Sequence, residues 1–171
     1  MVVKSAVKTP RREPKKALPK APDSYPDSHP NGYLIDTGIW VEVERGRLSS
    51  ADLASITGDS AVYASPVSIA ELAQATEMPL EEHVRQRRRT TVQRLLKKVI
   101  LPIDGATAEI FGRLAFSLVQ QGRGSPSHRV QDIWLASQAI QHKLRLLTYN
   151  RKDFDDVPGL DVHVLHHTAA S

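Results

Sequence analysis

Four acidic residues lie at points of the chain where an α/β fold could bring them to one site: Asp36, Glu71, Asp132 and Asp153. Asp36 directly follows the apolar run 33–35, and Asp153 lies shortly after the apolar segment 144–149. Glu71 comes about two helical turns after a further apolar run. Asp132 lies at the start of an amphipathic segment. Ligands of open α/β sheets collect beyond the carboxyl ends of the strands, so we expect these four side chains to meet at one edge.

A cluster of carboxylates in one pocket predicts a bound cation. The negative charges repel each other and are driven toward protonation unless a positive charge compensates them. The chain has no Cys, and its seven His show no spacing typical of a metal site. Oxygen-only ligands suit Mg²⁺ or Mn²⁺ better than zinc. Such an ion can polarise a phosphoryl oxygen and generate hydroxide from water, so the predicted chemistry is hydrolysis of a phosphodiester bond.

Each of these acids also has an ordinary structural explanation. Asp36 could cap the following helix, and Asp132 could complement a helix dipole. Glu71 could be a solvated helix residue, and Asp153 could belong to a turn. These explanations are adequate for any one acid alone. The joint placement of the four beside predicted strands and helices is what predicts a shared site.

Strand-like and helix-like patterns alternate along the chain. Short apolar runs predict strands at residues 33–35, 61–64, 99–103, 144–149 and 162–165. Helix start and stop signals lie between them, with Asp104 as one predicted N-cap. The longest helical pattern follows Pro79 and places Leu96 and Val99 on its inner face, and the next pattern places Val119 inward. This alternation predicts a parallel α/β sandwich with a sheet of four to five strands.

The excess of positive charge is confined to the N-terminal segment. The chain of 171 residues has 23 Lys and Arg against 19 Asp and Glu. Residues 1–31 hold seven of the basic and three of the acidic residues, together with six of the 11 prolines, so residues 32–171 are neutral. Segment 1–31 has few large apolar residues, and we predict that it is a disordered tail before a nuclease domain at 32–171. The tail is better explained as a solvated extension than as an electrostatic arm for RNA.

Composition excludes several classes of protein. Without Cys the chain can form no disulfide, cysteine-ligated zinc site, iron–sulfur cluster or thiol nucleophile. No apolar run reaches the about 18 residues that a membrane-spanning helix needs. The N-terminus has no apolar segment typical of a secretory signal. We therefore expect a cytoplasmic protein that does not enter the membrane.

The four acids lie in four short stretches of the chain: Leu34-Ile35-Asp36-Thr37, Ser68-Ile69-Ala70-Glu71-Leu72, Asp132-Ile133-Trp134-Leu135-Ala136 and Leu147-Thr148-Tyr149-Asn150-Arg151-Lys152-Asp153-Phe154. These stretches resemble the PIN-domain ribonucleases, and among these the VapC-type toxins of toxin–antitoxin pairs. They agree in order and spacing over the chain from Tyr33 to Leu165, and the last is the most specific. The segment 100–104, with Gly122-Arg123, is similar to the FitB-like branch.

This resemblance implies a three-layer α/β/α fold and an endoribonuclease that depends on Mg²⁺ or Mn²⁺. The residues implied to form its acidic metal site are Asp36, Glu71, Asp132 and Asp153. Thr37 and Asn150 match positions that support this site through hydroxyl and amide hydrogen bonds. The resemblance also implies an RNA substrate, a homodimer and a cognate antitoxin that blocks the site.

Two positions depart from the family pattern beside the site. Gly38 stands where Asn or Ser is common, and Tyr149 stands where Arg is common. The loop before Asp132 supplies three candidates for contact with RNA phosphates: Arg123, His128 and Arg129. Seven further basic residues lie on the helix predicted after Pro79: Arg85, Arg87, Arg88, Arg89, Arg94, Lys97 and Lys98. They are equally consistent with a phosphate-contacting stripe and with a solvated helix face.

Two other functions fit part of the sequence. A PIN fold could bind nucleic acid as a regulatory partner without cutting it, although the presence of all four acids favours cleavage. The tripeptide Asp36-Thr37-Gly38 also matches the motif of aspartic proteases, which would require a dimer that shares two aspartates. That protease fold is almost entirely β, whereas this chain has at least four amphipathic helical segments.

Overall fold

The computed structural model describes residues 32–78, 81–122 and 126–166. The predicted tail 1–31 and Arg123 lie outside these residues. In the described part of the chain no helix is long and apolar enough to cross a membrane.

The centre of the molecule is a sheet of five strands, all of them parallel. The strands are β1 (Tyr33–Ile35), β2 (Val62–Ala64), β3 (Val99–Ile100), β4 (Arg145–Thr148) and β5 (Asp161–Val164). Their order across the sheet is β3-β2-β1-β4-β5, so Leu34 pairs with Tyr63 on one side and with Leu146 on the other. The direction in which successive strands are added reverses between β1 and β4. Such a reversal opens a crevice at the carboxyl ends of these two strands, where α/β proteins bind their ligands.

Helices cover both faces of this sheet. They are α1 (Thr37–Glu44), α2 (Ser50–Thr57), α3 (Pro66–Glu77), α4 (Glu82–Leu95), α5 (Gly105–Gln120) and α6 (Val130–His142). One core cluster joins α5 and α6 to the sheet through residues such as Leu114, Ile133 and Leu146. A second joins the other helices to the opposite face through residues such as Ile39 and Leu72. The predicted three-layer α/β/α architecture is confirmed, and the almost all-β aspartic-protease alternative is wrong.

Local sequence signals account for where several helices begin. Asp104 caps α5 as predicted, since its carboxylate accepts the amide of Thr107 while the Thr107 hydroxyl accepts the amide of Asp104. Ser65 caps α3 and accepts the amide of Val67, with Pro66 in the first turn, where it needs no amide donor. The cap at Ser65 fixes the starting residue of α3, and with it the position of Glu71 on that helix.

Three predicted core positions are wrong. Leu96 follows the last turn of α4 and is 49% exposed, and Val99 in the edge strand β3 is 64% exposed. Val119 lies in the last turn of α5 and is 48% exposed. Leu96 and Val119 lie at the ends of α4 and α5, where side chains reach solvent although they keep the helical period, and Val99 belongs to an edge strand instead of to the helix. Strand β3 is also shorter than predicted, since its ladder ends at Ile100.

A buried amide connects the two helices that carry Glu71 and Asp132. The side chain of Gln138 on α6 is fully buried. Its oxygen accepts the hydroxyl of Ser65 at 2.6 Å, and its nitrogen donates to the carbonyl of Leu101 at 3.0 Å. Because Ser65 is the cap of α3, this amide holds the start of α3 and the segment after β3 against α6.

Replacement of this amide should destabilise the fold. We expect Gln138→Leu to lower the free energy of unfolding by about 2 kcal/mol, because it leaves the Ser65 hydroxyl and the Leu101 carbonyl buried without their partner. This corresponds to a fall in Tm of about 6 °C for a domain of this size. Thermal unfolding followed by circular dichroism measures it. Gln120→Leu, at an exposed position of α5, is the control and should leave the Tm nearly unchanged. Equal Tm values for the two variants would contradict this role of Gln138.

Candidate active site

Asp36 lies at the crevice between β1 and β4. It directly follows β1 and precedes α1, and its amide donates to the carbonyl of Leu147 on β4 at 3.0 Å. The hydroxyl of Thr148 donates to Asp36 Oδ2 at 2.6 Å. Burial raises the pKa of Asp36, and the hydrogen bonds from Thr148 and from the amides of Thr37 and Gly38 partly oppose that shift. The Asp36 carboxylate is therefore largely desolvated and is held by a few hydrogen-bond donors in fixed positions.

Glu71 projects from α3 toward the start of α1. The hydroxyl of Thr37 donates to Glu71 Oε2, and the buried hydroxyl of Ser68 lies 2.9 Å from the same Thr37 oxygen. Burial raises the pKa of Glu71, and the negative charge of Asp36 raises it further. Thr37 thus donates a hydroxyl hydrogen bond to the second acid, and its part in a metal site stays a prediction.

Asp132 lies in the first turn of α6, and its pKa responds to the negative charges of the other three acids. Its pKa is raised to about 6, first by burial and then by the negative charges of Asp153 and Asp36. Glu71 also raises the pKa of Asp132, while the positive charge of Arg129 opposes the shift. The interaction between two charges weakens with distance, so the other three acids lie near Asp132. This shift and the hydrogen bonds that join the neighbouring elements place the four predicted acids near one edge of the sheet, and their role as a metal site stays a prediction.

Asp153 is carried by a short 3₁₀ turn, Arg151–Asp153, that follows β4. The side-chain amide of Asn150 donates to Asp153 Oδ2 at 2.5 Å, and the backbone amide of Asn150 donates to the hydroxyl of Thr148 at 3.0 Å. Because Thr148 also donates to Asp36, a continuous hydrogen-bonded path runs from Asp36 to Asp153. Asn150 thus holds Asp153 through its side-chain amide, and its part in a metal site stays a prediction.

Arg129, one of the three residues predicted to contact RNA, is engaged within the protein. Its guanidinium pairs with both carboxylate oxygens of Asp156, at 2.7 and 2.9 Å, and also donates to the backbone carbonyl of Asp153. His128 is exposed at the end of a short 3₁₀ helix. Arg123 lies outside the described residues. Contact of these three side chains with RNA stays a prediction.

The donor set has the chemistry that a hard divalent cation requires. Every candidate ligand is a carboxylate oxygen, and burial with mutual repulsion raises the pKa values of Asp36, Glu71 and Asp132, which favours a compensating positive charge. The guanidinium of Arg129 is already bound to Asp156. Within residues 32–78, 81–122 and 126–166, no three acidic or histidine side chains lie close enough together to hold an ion. The residues fit Mg²⁺ or Mn²⁺ by ligand type and charge, whereas their spacing in this structure is too wide for direct coordination by three of them.

The structure identifies supporting residues that the sequence reasoning missed. Thr148 is fully buried and bonds to Asp36, Ser68 lies beside Thr37, and Asp156 binds Arg129. The signal for Thr148 was a polar residue at the end of an apolar strand, immediately before the motif that contains Asn150 and Asp153. Ser68 opens one of the stretches that resemble the family, but neither Ser68 nor Asp156 had a signal for its hydrogen-bond partner, which comes from another element.

The two departures from the family pattern have different surroundings. A Cβ atom at Gly38 would lie 3.6 Å from Asp36 Oδ2, an ordinary contact distance, so a larger residue would fit there. The half-buried ring of Tyr149 packs against the core cluster of α1 to α4. Burial and the nearby negative charge of Glu42 raise the pKa of Tyr149. Tyr149 therefore serves the packing of that layer.

The basic residues of α4 are partly used in ion pairs. Arg88 pairs with Glu44 at 3.0 Å, and Arg85 pairs with Glu82 at 3.0 Å. The other five predicted on this helix are exposed: Arg87, Arg89 and Arg94 lie on α4, whereas Lys97 and Lys98 follow its end. The two pairs give part of the run a structural role, and contact of the exposed residues with RNA stays a prediction.

Comparison with known proteins extends these observations. The family model of the PIN domain matches residues 33–160. Ribonuclease VapC5 of Mycobacterium tuberculosis is 27% identical over 129 residues, which are 75% of this chain and 87% of the relative. Ribonuclease VapC1 of Rickettsia felis is 29% identical over 132 residues, or 77% of this chain and 94% of the relative. A crystal structure of VapBC2 from Rickettsia felis bound to a promoter DNA fragment matches with a TM-score of 0.66 and 21% identity, and covers 78% of this chain and 98% of its own.

The raised pKa of Asp132 predicts how the stability of the metal-free protein depends on pH. The folded pKa of about 6 exceeds the ordinary value of 3.8, so the folded state binds the proton more tightly than the unfolded state. The resulting stabilisation is complete below about pH 4 and is lost as pH rises through about 6. We expect the Tm in EDTA to be higher at about pH 5 than at about pH 7.5, and this difference to shrink in Asp132→Asn.

Differential scanning fluorimetry measures these Tm values. The control is Asp161→Asn, at an exposed residue that pairs with Arg145, and it should keep the wild-type pH dependence. An unchanged pH dependence in Asp132→Asn would contradict the raised pKa of this carboxylate.

Proposed function

The chain belongs to the PIN-domain family, and from this membership we propose that it is a metal-dependent endoribonuclease that acts as the toxin of a toxin–antitoxin pair. The observation that carries the proposal is the convergence of Asp36, Glu71, Asp132 and Asp153 at the crevice between β1 and β4. Both VapC relatives are named ribonucleases. The retention of all four acids supports cleavage over a role in nucleic-acid binding alone.

The four carboxylates would hold one or two Mg²⁺ or Mn²⁺ ions. When bound, such an ion polarises the scissile phosphoryl group and lowers the pKa of a water molecule. Thr148 fixes Asp36 through Oδ2, Thr37 fixes Glu71 through Oε2, and Asn150 fixes Asp153 through Oδ2. Each of these three acids thus has one oxygen oriented by a neighbour. The remaining acid, Asp132, is paired by no hydroxyl or amide side chain among the described residues, and it can accept the proton of the attacking water.

Loss of one carboxylate should abolish cleavage without unfolding the protein. We expect Asp36→Asn and Asp132→Asn to lower the rate of RNA cleavage in Mg²⁺ or Mn²⁺ by more than about 100-fold. Loss of a residue that only supports a metal ligand costs up to roughly 100-fold, and loss of a ligand should cost more. In EDTA both variants should be at least as stable as wild type, because fewer like charges then face each other. Addition of Mg²⁺ should raise the Tm of wild type more than that of either variant, since only a ligand of the native state stabilises it.

The measurements are cleavage of RNA with sequencing of the new ends, and thermal unfolding with and without the ion. Asp161→Asn removes a negative charge at an exposed position of β5, and it should retain both cleavage and the response to metal. Wild-type cleavage that persists in EDTA would contradict the metal mechanism. RNA binding without cleavage in any divalent ion would favour the regulatory alternative.

The toxin role implies partners beyond the RNA. We expect a homodimer, and a cognate antitoxin that covers the acidic crevice and silences the nuclease in the cytoplasm. This expectation is supported by the likeness of the fold to the crystal structure of VapBC2, which was solved bound to a fragment of promoter DNA. A small protein encoded beside this chain is the expected partner.

Co-expression tests this role. Induction of the chain alone should arrest growth, whereas induction of Asp36→Asn should not, because it lacks the nuclease. Co-expression of the neighbouring open reading frame should restore growth and yield a complex that co-purifies. Harmless high-level expression of a chain that is an active nuclease would contradict the toxin role and leave the nuclease proposal intact.

A further inference from the structure

We propose that Arg129 and Asp156 are positioning residues that fix Asp153 relative to Asp132. This inference rests on the proposed nuclease function. It concerns two residues outside the acidic quartet, by which we mean Asp36, Glu71, Asp132 and Asp153. Arg129 immediately precedes α6, which carries Asp132 in its first turn, and Asp156 follows the short turn that carries Asp153. The pair therefore joins the two segments that supply these acids.

The contacts of the guanidinium reach both sides of this junction. Two of its N–H groups pair with the two oxygens of Asp156, at 2.7 and 2.9 Å, and one also donates to the backbone carbonyl of Asp153. A planar guanidinium holds a carboxylate in a fixed orientation through such a bidentate pair. Because the third acceptor is the carbonyl of Asp153 itself, the pair sets the position of the backbone from which that acid projects.

Because it is buried, this ion pair constrains the local backbone more strongly than a surface ion pair would. The side chain of Asp156 is 3% exposed and that of Arg129 is 21% exposed. Removal of one partner from a buried pair leaves the other charge desolvated, so the local structure must rearrange. Asp153 depends on this constraint because it comes from a three-residue turn, whereas Asp132 comes from a helix of 13 residues.

The charge of Arg129 also suits this location. Asp132 and Asp153 repel each other, and Arg129 is the cation that opposes the repulsion at Asp132. A guanidinium held beside both acids lowers the cost of bringing them together. Its two terminal nitrogens donate to Asp156 and to the carbonyl of Asp153, and its Nε is buried without a hydrogen-bond partner among the described residues. The terminal donors are therefore directed at the protein instead of at a substrate.

The variant Asp156→Asn separates positioning from direct contact with RNA. If Arg129 positions the turn, loss of the Asp156 charge should weaken catalysis as Arg129→Gln does. If Arg129 binds RNA phosphates, Asp156→Asn should release the guanidinium and leave the KM for RNA unchanged or lower. A supporting residue of a metal site contributes about 10- to 100-fold to activity, and we expect kcat to fall by that factor in both variants while KM changes less than about threefold.

Glu44→Gln is the matched control. Glu44 is 2% exposed and pairs with Arg88 at 3.0 Å, so the variant removes the carboxylate of a comparably buried ion pair. Glu44 lies at the end of α1, and no side chain of the acidic quartet contacts it among the described hydrogen bonds and ion pairs. A general loss of stability would lower the activity of Glu44→Gln and Asp156→Asn equally. Positioning lowers the kcat of Asp156→Asn and Arg129→Gln only.

A second measurement on the metal-free full-length chain does not depend on nuclease activity. The amides of Phe154 and Asp155 donate to the carbonyl of Arg151, at 3.0 and 2.9 Å, and report the order of the turn by hydrogen exchange. We expect their exchange to be at least about tenfold faster in Arg129→Gln and Asp156→Asn than in wild type, and unchanged in Glu44→Gln.

These measurements distinguish failure of this inference from failure of the proposed function. Wild-type exchange at Phe154 and Asp155 in both variants would overturn the positioning role, whether or not the protein cuts RNA. A raised KM with unchanged kcat in Arg129→Gln, together with full activity of Asp156→Asn, would overturn it in favour of RNA contact. An inactive wild type would contradict the nuclease proposal, and the exchange rates would still decide whether the pair orders the turn.

Discussion

The electrostatic cost of bringing four carboxylates together is the constraint on which the rest of this structure depends. Burial and mutual repulsion raise the pKa of Asp132 to about 6 and also raise the pKa values of Asp36 and Glu71. Folding must supply interactions that offset this repulsion. It does so with a rigid parallel sheet, two apolar core clusters and a small number of buried polar contacts.

The buried polar contacts act mainly between elements that are distant in sequence. Thr148 joins β4 to Asp36, Gln138 joins α6 to the cap of α3, and Thr37 joins α1 to Glu71. A buried hydrogen bond is costly to lose because each partner would remain desolvated. These contacts therefore define one arrangement of the acid-bearing elements, which apolar packing alone specifies less strictly.

Catalysis of phosphodiester hydrolysis, as proposed for this chain, needs such an arrangement because its ligands come from four separate elements. Asp36 follows a strand, Glu71 and Asp132 lie on helices, and Asp153 lies in a short turn. The turn is the least constrained of these elements. The ion pair of Arg129 and Asp156 holds this turn on one side. The hydrogen bonds through Thr148 and Asn150 hold it on the other side.

The sequence by itself determined the alternation of strands and helices and the cap at Asp104, and it predicted the four acids, since local periodicity and short motifs carry this information. It mispredicted Leu96, Val99 and Val119, because the period of a helix reveals neither where the helix ends nor which of its terminal positions reach solvent. Only the tertiary structure decided which side chains hold the acids. Thr148 is 112 residues from Asp36, and Gln138 is 73 residues from Ser65. Contacts of this range follow from the order of the strands, and no local pattern states which strands become neighbours.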